Sequence, residues 1–464
     1  MKPSSFVHPY IANSVPAIRQ EMLAEIGVTN VEELFDVIPD RLRLKRDLNL
    51  PNPLLAETDL RKHVEKVLSK NTTCRENLNF LGAGCSQHFV PAVCDEIAHR
   101  AEFLTAYGSF AYTDLGKWQA YFEYQSMLGE LLEMDVVSLP TYDSAIAVGF
   151  ALRMASRITG RKEVLIAKTI SPEKLSVVRN LCQPAAMPGH IDVKLVDYDH
   201  GRGTLDLVDL RDKLSSKTAA VYFENPSYLG SVSEGKEISD LVHENGATCV
   251  VGVDPISLGV LSPPAQYGAD IVCGGLQSLG IHMEYGGLAG FIASGEEYLP
   301  EYPLQIAGIT STIRKGEFGF GYITHERTLY IEREKGKDFT GTTVCLWAIV
   351  AAVYLALMGP EGMKEIGQAV IQKSHYAAEL LSKISGVRVL FSPHFFQEFV
   401  VNFDGTGRKV ANINNELLKY GIFGGKDLTL EFPELGNSAL YSVTEIHTKN
   451  DLQKLADTLR VILK

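Results

Sequence analysis

The sequence holds no lysine between Lys236 and Lys315, a gap that crosses much of its apolar centre. Other absences narrow its class. There is no CxxC pair among seven cysteines, at 74, 85, 94, 182, 249, 273 and 345, so neither a disulfide framework nor a zinc site is expected. Like charges do not cluster into a long run, and 56 Asp plus Glu against 44 Lys plus Arg leave a formal charge of -12, which argues against a nucleic-acid partner. The longest apolar run, Leu346 to Met358, is 13 residues, short of the roughly 20 that span a bilayer, and reads as a buried core helix. The opening residues MKPSSFVHPYIANS lack the apolar centre of a secretory signal, and the expected location is cytoplasmic. Neither GxGxxG after a strand nor GxxxxGK[ST] occurs, which removes the common dinucleotide and P-loop fingerprints.

What is present is a chain of 464 residues, 45% hydrophobic, long enough for one large core and a smaller second one. Residues 1–69 read as an arm, with short helices over Pro16–Ile26 and Val31–Val37 and then a charged, proline-bearing stretch, RLRLKRDLNLPNP. From about residue 70, apolar runs alternate with helical patterns. Strands are expected over Val164–Ala167, Val193–Tyr198, Ala219–Phe223, Cys249–Asp254, Asp270–Gly274 and Gly287–Ala293, with a helix such as Ile238–Glu244 between. That alternation predicts βαβ units and a largely parallel sheet covered on both faces. Trp118, Tyr121, Phe122, Gln125, Leu128 and Leu132 recur at helical spacing, as core-packing residues do. After the apolar helix, a helix-rich block, VRVLF, EFVVNF and a closing helix from Lys449 read as a smaller α/β domain, giving the division 1–69, 70–344 and 345–464.

In an open parallel sheet, ligands bind beyond the carboxyl ends of the strands. Asp254 closes the run CVVGVD, where a charge is costly unless paired. It either caps the turn DPISLG or pairs with a cofactor's ring nitrogen, as in pyridoxal phosphate enzymes. About twenty residues later, GADIVCGGLQSLGIHMEYGGLAGF has the layout of the segment that holds the cofactor lysine in one class of those enzymes, yet Gln277, Ser278 and His282 offer no amine for an imine. Asn225, opening the loop after AAVYFE, is a candidate for orienting a ligand or simply for turning the chain. Tyr142, Asp143 and Ser144 precede a helix whose free N–H groups could take a phosphate, although Asp143 could itself cap that helix. Cys85 and His88 form the nearest thing to a nucleophilic pair.

Taken in order, FLGAGCSQHFVPAV, EFLTAY, FEYQSMLGELLEMDV, TYDSAIA, ENPSYLG, DPISLGVLSPPAQYGADIV, QSLG, HERTLYIEREK and FFQEFVV resemble the first subunit of the two-subunit glycine dehydrogenase (decarboxylating), the P-protein of the glycine cleavage system. The opening arm is similar too, so the resemblance spans nearly the whole chain. It implies an α/β fold of the fold-type I, aminotransferase-like kind. It implies the half without the Schiff-base lysine, Ser278 standing where the second subunit carries it. By the resemblance, pyridoxal phosphate belongs to that homologous, lysine-bearing partner, and the aminomethyl group passes to a lipoyl carrier protein. Asp254, Ser278 and Asn225 would then be remnants of a cofactor site, while Tyr107, Tyr112, Tyr142, Ser144 and Lys335 would wall the substrate cleft or the partner interface. Three segments depart from the family's runs, GSFAYTDLGKW at Gly108–Trp118, GKDFTGTTVC at Gly336–Cys345 and the shortened loop GGLAGF at Gly286–Phe291. They keep open a divergent relative acting on another small amino acid or amine, beside a non-catalytic ligand-binding scaffold.

Overall fold

The computed structural model describes residues 7, 10–108, 114–187, 189–303, 305–323, 336–338 and 343–464. It falls into two compact units, Met1–Thr72 and Thr73–Lys464.

The first unit has helices over Pro16–Ile26 and Glu57–Leu68. The expected helix Val31–Val37 is a 3₁₀ turn instead, opened by Asn30, whose side chain accepts from the Glu33 amide at 3.1 Å. Seven residues with β-branched Val31 and Val37 at their ends, followed closely by Pro39, leave little room for an α-helix to propagate. Tyr10, Val37 and Leu55 of this unit are at least 87% exposed.

The second unit is built on one large sheet. Its order is Val136–Val137, Leu288–Ser294, Ile271–Gly275, Thr248–Val253, Thr218–Glu224, Glu163–Ala167, Asp192–Val196. From Ile271–Gly275 to Asp192–Val196 every neighbour is parallel, and Leu288–Ser294 pairs antiparallel with Ile271–Gly275, Val136–Val137 and Thr141–Asp143. The helices Pro172–Cys182, Leu207–Lys213 and Gly235–Glu244 carry the parallel crossovers.

Period-two alternation explains why these strands read as continuous apolar runs. Leu165, Val221, Phe223, Val251 and Val272 point into one core with Leu128, Leu132 and Ala348. Ile166, Tyr222, Val250, Ile271 and Cys273 point into another with Ala147, Ala151 and Ala155 of the helix Ser144–Thr159. Each fully buried Val, Ile or Phe contributes roughly 1.5–3 kcal/mol. The three alanines, spaced by four, let that helix approach the sheet closely.

The apolar run 346–358 lies within a helix, Cys345–Ser382, that breaks at Gly359 (φ 57°, ψ −175°) just before Pro360. By length and composition the helix could cross a membrane, but Ala348, Val350, Ala351 and Tyr354 are buried in the first core. A further four-stranded antiparallel sheet runs Arg388–Val389, Glu398–Asn402, Ser438–Ser442, Lys426–Asp427. Its core joins Phe399, Val401 and Tyr441 to Leu452, Leu455 and Leu459 of the closing helix Lys449–Ile462. That helix opens on a reciprocal capping box between Thr448 and Asp451.

Candidate functional site

Beyond the carboxyl ends of the parallel strands lies a cavity of about 130 Å³. The sheet supplies Tyr222, Glu224, Asp254 and Gly275, the helix Ser144–Thr159 supplies Ser144, the segment before residue 90 supplies Ser86 and His88, and the smaller sheet supplies Gln397 and Glu398. Gly230 fixes the approach of two of these segments: at φ +87°, a Cβ there would stand 1.8 Å from the Glu398 carbonyl oxygen.

Asp254 caps the 3₁₀ turn Pro255–Gly259, accepting from the Ile256 amide at 3.1 Å. The same oxygen, Oδ1, accepts from the Ser278 hydroxyl at 2.8 Å. Ser278 is 6% exposed, and Gln277 beside it holds the main chain of Ser86 through bonds of 3.1 and 3.3 Å. Ser144 lines the cavity, but the helix it opens is capped by Asp143, which accepts from the Ile146 amide at 2.8 Å.

Asn225 does not line the cavity. Its side chain accepts from the Ser233 amide at 2.9 Å and donates to the Ser233 carbonyl at 3.3 Å, stapling the loop shut, while Pro226, Ser227 and Tyr228 face the cavity. Tyr142 and Tyr107 are about two-fifths exposed and absent from the lining; the Tyr107 carbonyl instead receives the Thr343 amide at 2.7 Å. Tyr112 and Lys335 lie outside the described residues. Cys85 and His88 are not a catalytic pair: the Cys85 thiol donates to the Met283 carbonyl at 3.7 Å and burial pushes its pKa up to about 11, whereas His88 Nδ1 meets Glu445 at 2.8 Å.

Several polar groups of the cavity carry no local signal in the sequence. Lys174 donates to Glu224, and the Tyr222 hydroxyl donates to the same carboxylate oxygen at 2.9 Å. The pair is largely buried, with side chains 19% and 9% exposed. Burial, the largest single effect, would lower the Lys174 pKa, but the charge and hydrogen bond of Glu224, with the Glu398 charge behind them, together hold the ammonium above its ordinary range. Glu398 receives the Ala83 amide, yet burial, with the charges of Asp254 and Glu224, pushes its pKa up to about 7. For His88, burial is the largest single effect and acts downward, but the charge and hydrogen bond of Glu445 with the charges of Asp254 and Glu398 together act upward, so its pKa rises. A charge at the end of the buried strand Thr218–Glu224 is the one cue that could have drawn attention to Glu224.

Over residues 9–459 the sequence matches the profile of the glycine cleavage system P-protein. The chain belongs to that family. A probable glycine dehydrogenase (decarboxylating) subunit 1 of Staphylothermus marinus is 38% identical, covering 98% of each chain. The relative of the same name from Geobacillus kaustophilus is 36% identical over 95% of this chain and 96% of its own. A crystal structure of glycine decarboxylase (P-protein) of the glycine cleavage system, in inhibitor-bound form, superposes with a TM-score of 0.84 at 31% identity, covering 98% of this chain and all of that one. Sphingosine-1-phosphate lyase of Burkholderia pseudomallei shares the fold alone, with a TM-score of 0.65 at 13% identity over 90% of this chain and 93% of its own. The large sheet and its helices are therefore the fold-type I architecture of pyridoxal phosphate enzymes.

Pyridoxal phosphate is the family's cofactor, and the residues of this cavity do not fit it. Ser278 offers a hydroxyl already given to Asp254, and Lys174 is held charged on Glu224, so neither supplies a free amine. The Asp143 carboxylate caps the helix Ser144–Thr159 and opposes an anion at that N-terminus. Glu224, Asp254 and Glu398 together oppose a phosphate dianion, and about 130 Å³ is small for a phosphorylated ring, since drug-sized ligands occupy roughly 300 Å³ or more.

Proposed function

We propose that this chain is the lysine-lacking half of a two-subunit glycine decarboxylase, the glycine dehydrogenase (aminomethyl-transferring, decarboxylating) of the glycine cleavage system. It pairs with a homologous subunit that carries the cofactor lysine, completes the active-site cleft there, and lets the aminomethyl group pass to a lipoyl carrier protein. The observation that supports this reading is the 2.8 Å bond from the Ser278 hydroxyl to Asp254, in a segment that holds no lysine. Apolar residues left in water on the arm, Tyr10, Val37 and Leu55 among them, supply surface that a partner would cover. Seven free thiols fit a reducing, cytoplasmic setting.

Co-expression with the lysine-bearing homologue tests the proposal. A heteromer should form, release CO₂ from glycine, and after borohydride reduction carry the cofactor on the partner's peptides alone. Cofactor mapped to this chain, or full glycine turnover by the partner without it, would overturn the reading. The departures at Gly108–Trp118 and Gly336–Cys345 favour, as the second reading, the same architecture acting on another small amino acid or amine. A substrate screen on the heteromer separates the two, because turnover confined to glycine removes the second.

A further inference from the structure

Two of the segments that depart from the family's runs, Gly108–Trp118 and Gly336–Cys345, meet in the fold. Asp114 of the first has no exposed surface, and its Oδ1 accepts from the Tyr107 and Gly108 amides at 3.2 and 3.3 Å and from the Tyr121 hydroxyl at 2.9 Å. Thr343 of the second donates twice to the Tyr107 carbonyl, through its amide at 2.7 Å and its hydroxyl at 3.0 Å. Gly108 closes the junction. At φ +65°, a Cβ there would stand 2.3 Å from the Cys345 sulfur and 2.8 Å from Thr343 Oγ1, so with Cys345 in place the position admits no side chain. The second segment is also gripped further back, where Asp338, its side chain 8% exposed, meets Arg153 and, at 2.6 Å, Arg157 of the helix Ser144–Thr159.

These bonds hold both main-chain polar groups of Tyr107 and leave its ring outside. The residue is 42% exposed, and Leu104 and Leu115, before and after it in the chain, are 52% and 71% exposed. A buried carboxylate is costly unless its oxygens are met, and two of the donors that meet Asp114 are amides of the segment it fixes. An aromatic ring on a fixed main chain has only two side-chain torsions left to lose on contact, which is one reason tyrosine is enriched among the residues that dominate protein interfaces. Tyr107 is mounted as such a residue is.

We propose that Asp114 is a positioning residue: through the main chain of Tyr107 it fixes that ring as an anchor for the lysine-bearing subunit. The proposal rests on the two-subunit reading and adds to it a contact by which this chain recognises its counterpart. Since both departing segments build the mount, exchanging one of them alone displaces the ring.

A double-mutant cycle on heteromer affinity, measured by surface plasmon resonance with the full chain and the lysine-bearing homologue, tests the anchor. Tyr107→Ala should weaken the heteromer about tenfold or more, while the thermal midpoint of the chain alone moves by no more than about 2 °C. Asp114→Ala should weaken it by a similar factor, but by less than about twofold once Tyr107 is already Ala, because Asp114 acts through that ring. Thr343→Val keeps the amide bond and the side-chain shape; where Asp114→Ala folds poorly, it should give a smaller loss with the same dependence on Tyr107. In the chain alone, Asp114→Ala should speed hydrogen exchange of the Tyr107 and Gly108 amides about tenfold or more. Unchanged affinity in Tyr107→Ala, or a loss from Asp114→Ala or Thr343→Val that persists in full without the ring, would overturn the anchor and leave the two-subunit reading standing. No heteromer with the parent chain would overturn that reading and the anchor with it.

Discussion

Replacing Glu398 by Gln should stabilise the protein, and only above a definite pH. The carboxyl of Glu398 titrates near 7 in the folded chain against an ordinary value of 4.5. Between those two values the folded chain keeps a proton that the unfolded chain has lost, so stability falls as pH rises through the window. At about 1.4 kcal/mol per pH unit the full difference is about 3 kcal/mol, reduced somewhat because Glu398 is only part-buried. The variant keeps the oxygen that receives the Ala83 amide and has no proton to lose. Urea unfolding at pH 4, below both values, should therefore give nearly coincident curves, and at pH 8.5 the variant should be more stable by about 2–3 kcal/mol. For a unit the length of Thr73–Lys464, an unfolding entropy of roughly 2.1 cal/mol/K per residue turns that into about 3 °C in the thermal midpoint. A gap that stays constant with pH, or one in which the variant is weaker at pH 8.5, would refute the placement of Glu398 among Asp254 and Glu224.

Four further substitutions probe the same frame. Lys174→Met leaves Glu224 buried with the Tyr222 hydroxyl as its remaining side-chain donor, and should cost about 3–5 kcal/mol in equilibrium unfolding. Ser278→Lys restores an amine beside Asp254 but not the rest of a cofactor site. Incubated with pyridoxal phosphate and borohydride, that variant should show no cofactor fixed at position 278 by peptide mapping, and stoichiometric labelling there would contradict the misfit drawn from Asp143 and the three carboxylates. Thr448→Ala removes one half of the capping box and should cost about 1 kcal/mol, seen as faster amide exchange in the first turn of Lys449–Ile462. Gly230→Ala meets both a left-handed backbone and a carbonyl 1.8 Å from the new Cβ, and should lose most soluble folded protein on expression.

Much of the frame was readable from the residues in order. Strands buried on both faces, such as Thr218–Glu224 and Thr248–Val253, are unbroken apolar runs, and their ends fall within a residue or two of the expected bounds. The ordered motifs carried the family. The charged pairs inside the cavity were not readable, because each joins residues far apart along the chain. Lys174 and Glu224 are 50 positions apart, and His88 and Glu445 are separated by 357. No local periodicity encodes such pairs; they exist only once the helix Pro172–Cys182 packs on the strand that ends at Glu224 and the segment before residue 90 meets Glu445. Asn225 shows the converse: a residue well placed in sequence for a ligand spends its side chain on Ser233, eight positions on.

The bond between Ser278 and Asp254 also bears on what this chain needs in order to fold. A cofactor that binds only the native state adds stability in proportion to its supply, so enzymes that hold one lose folded population when it is scarce. Here Asp254 is met by the chain's own Ser278 and Glu224 by Lys174, so on the proposed reading the folded fraction of this chain does not depend on that vitamin-derived group. On the proposed reading, cofactor shortage leaves the folded fraction of this chain unchanged while lowering that of its lysine-bearing counterpart.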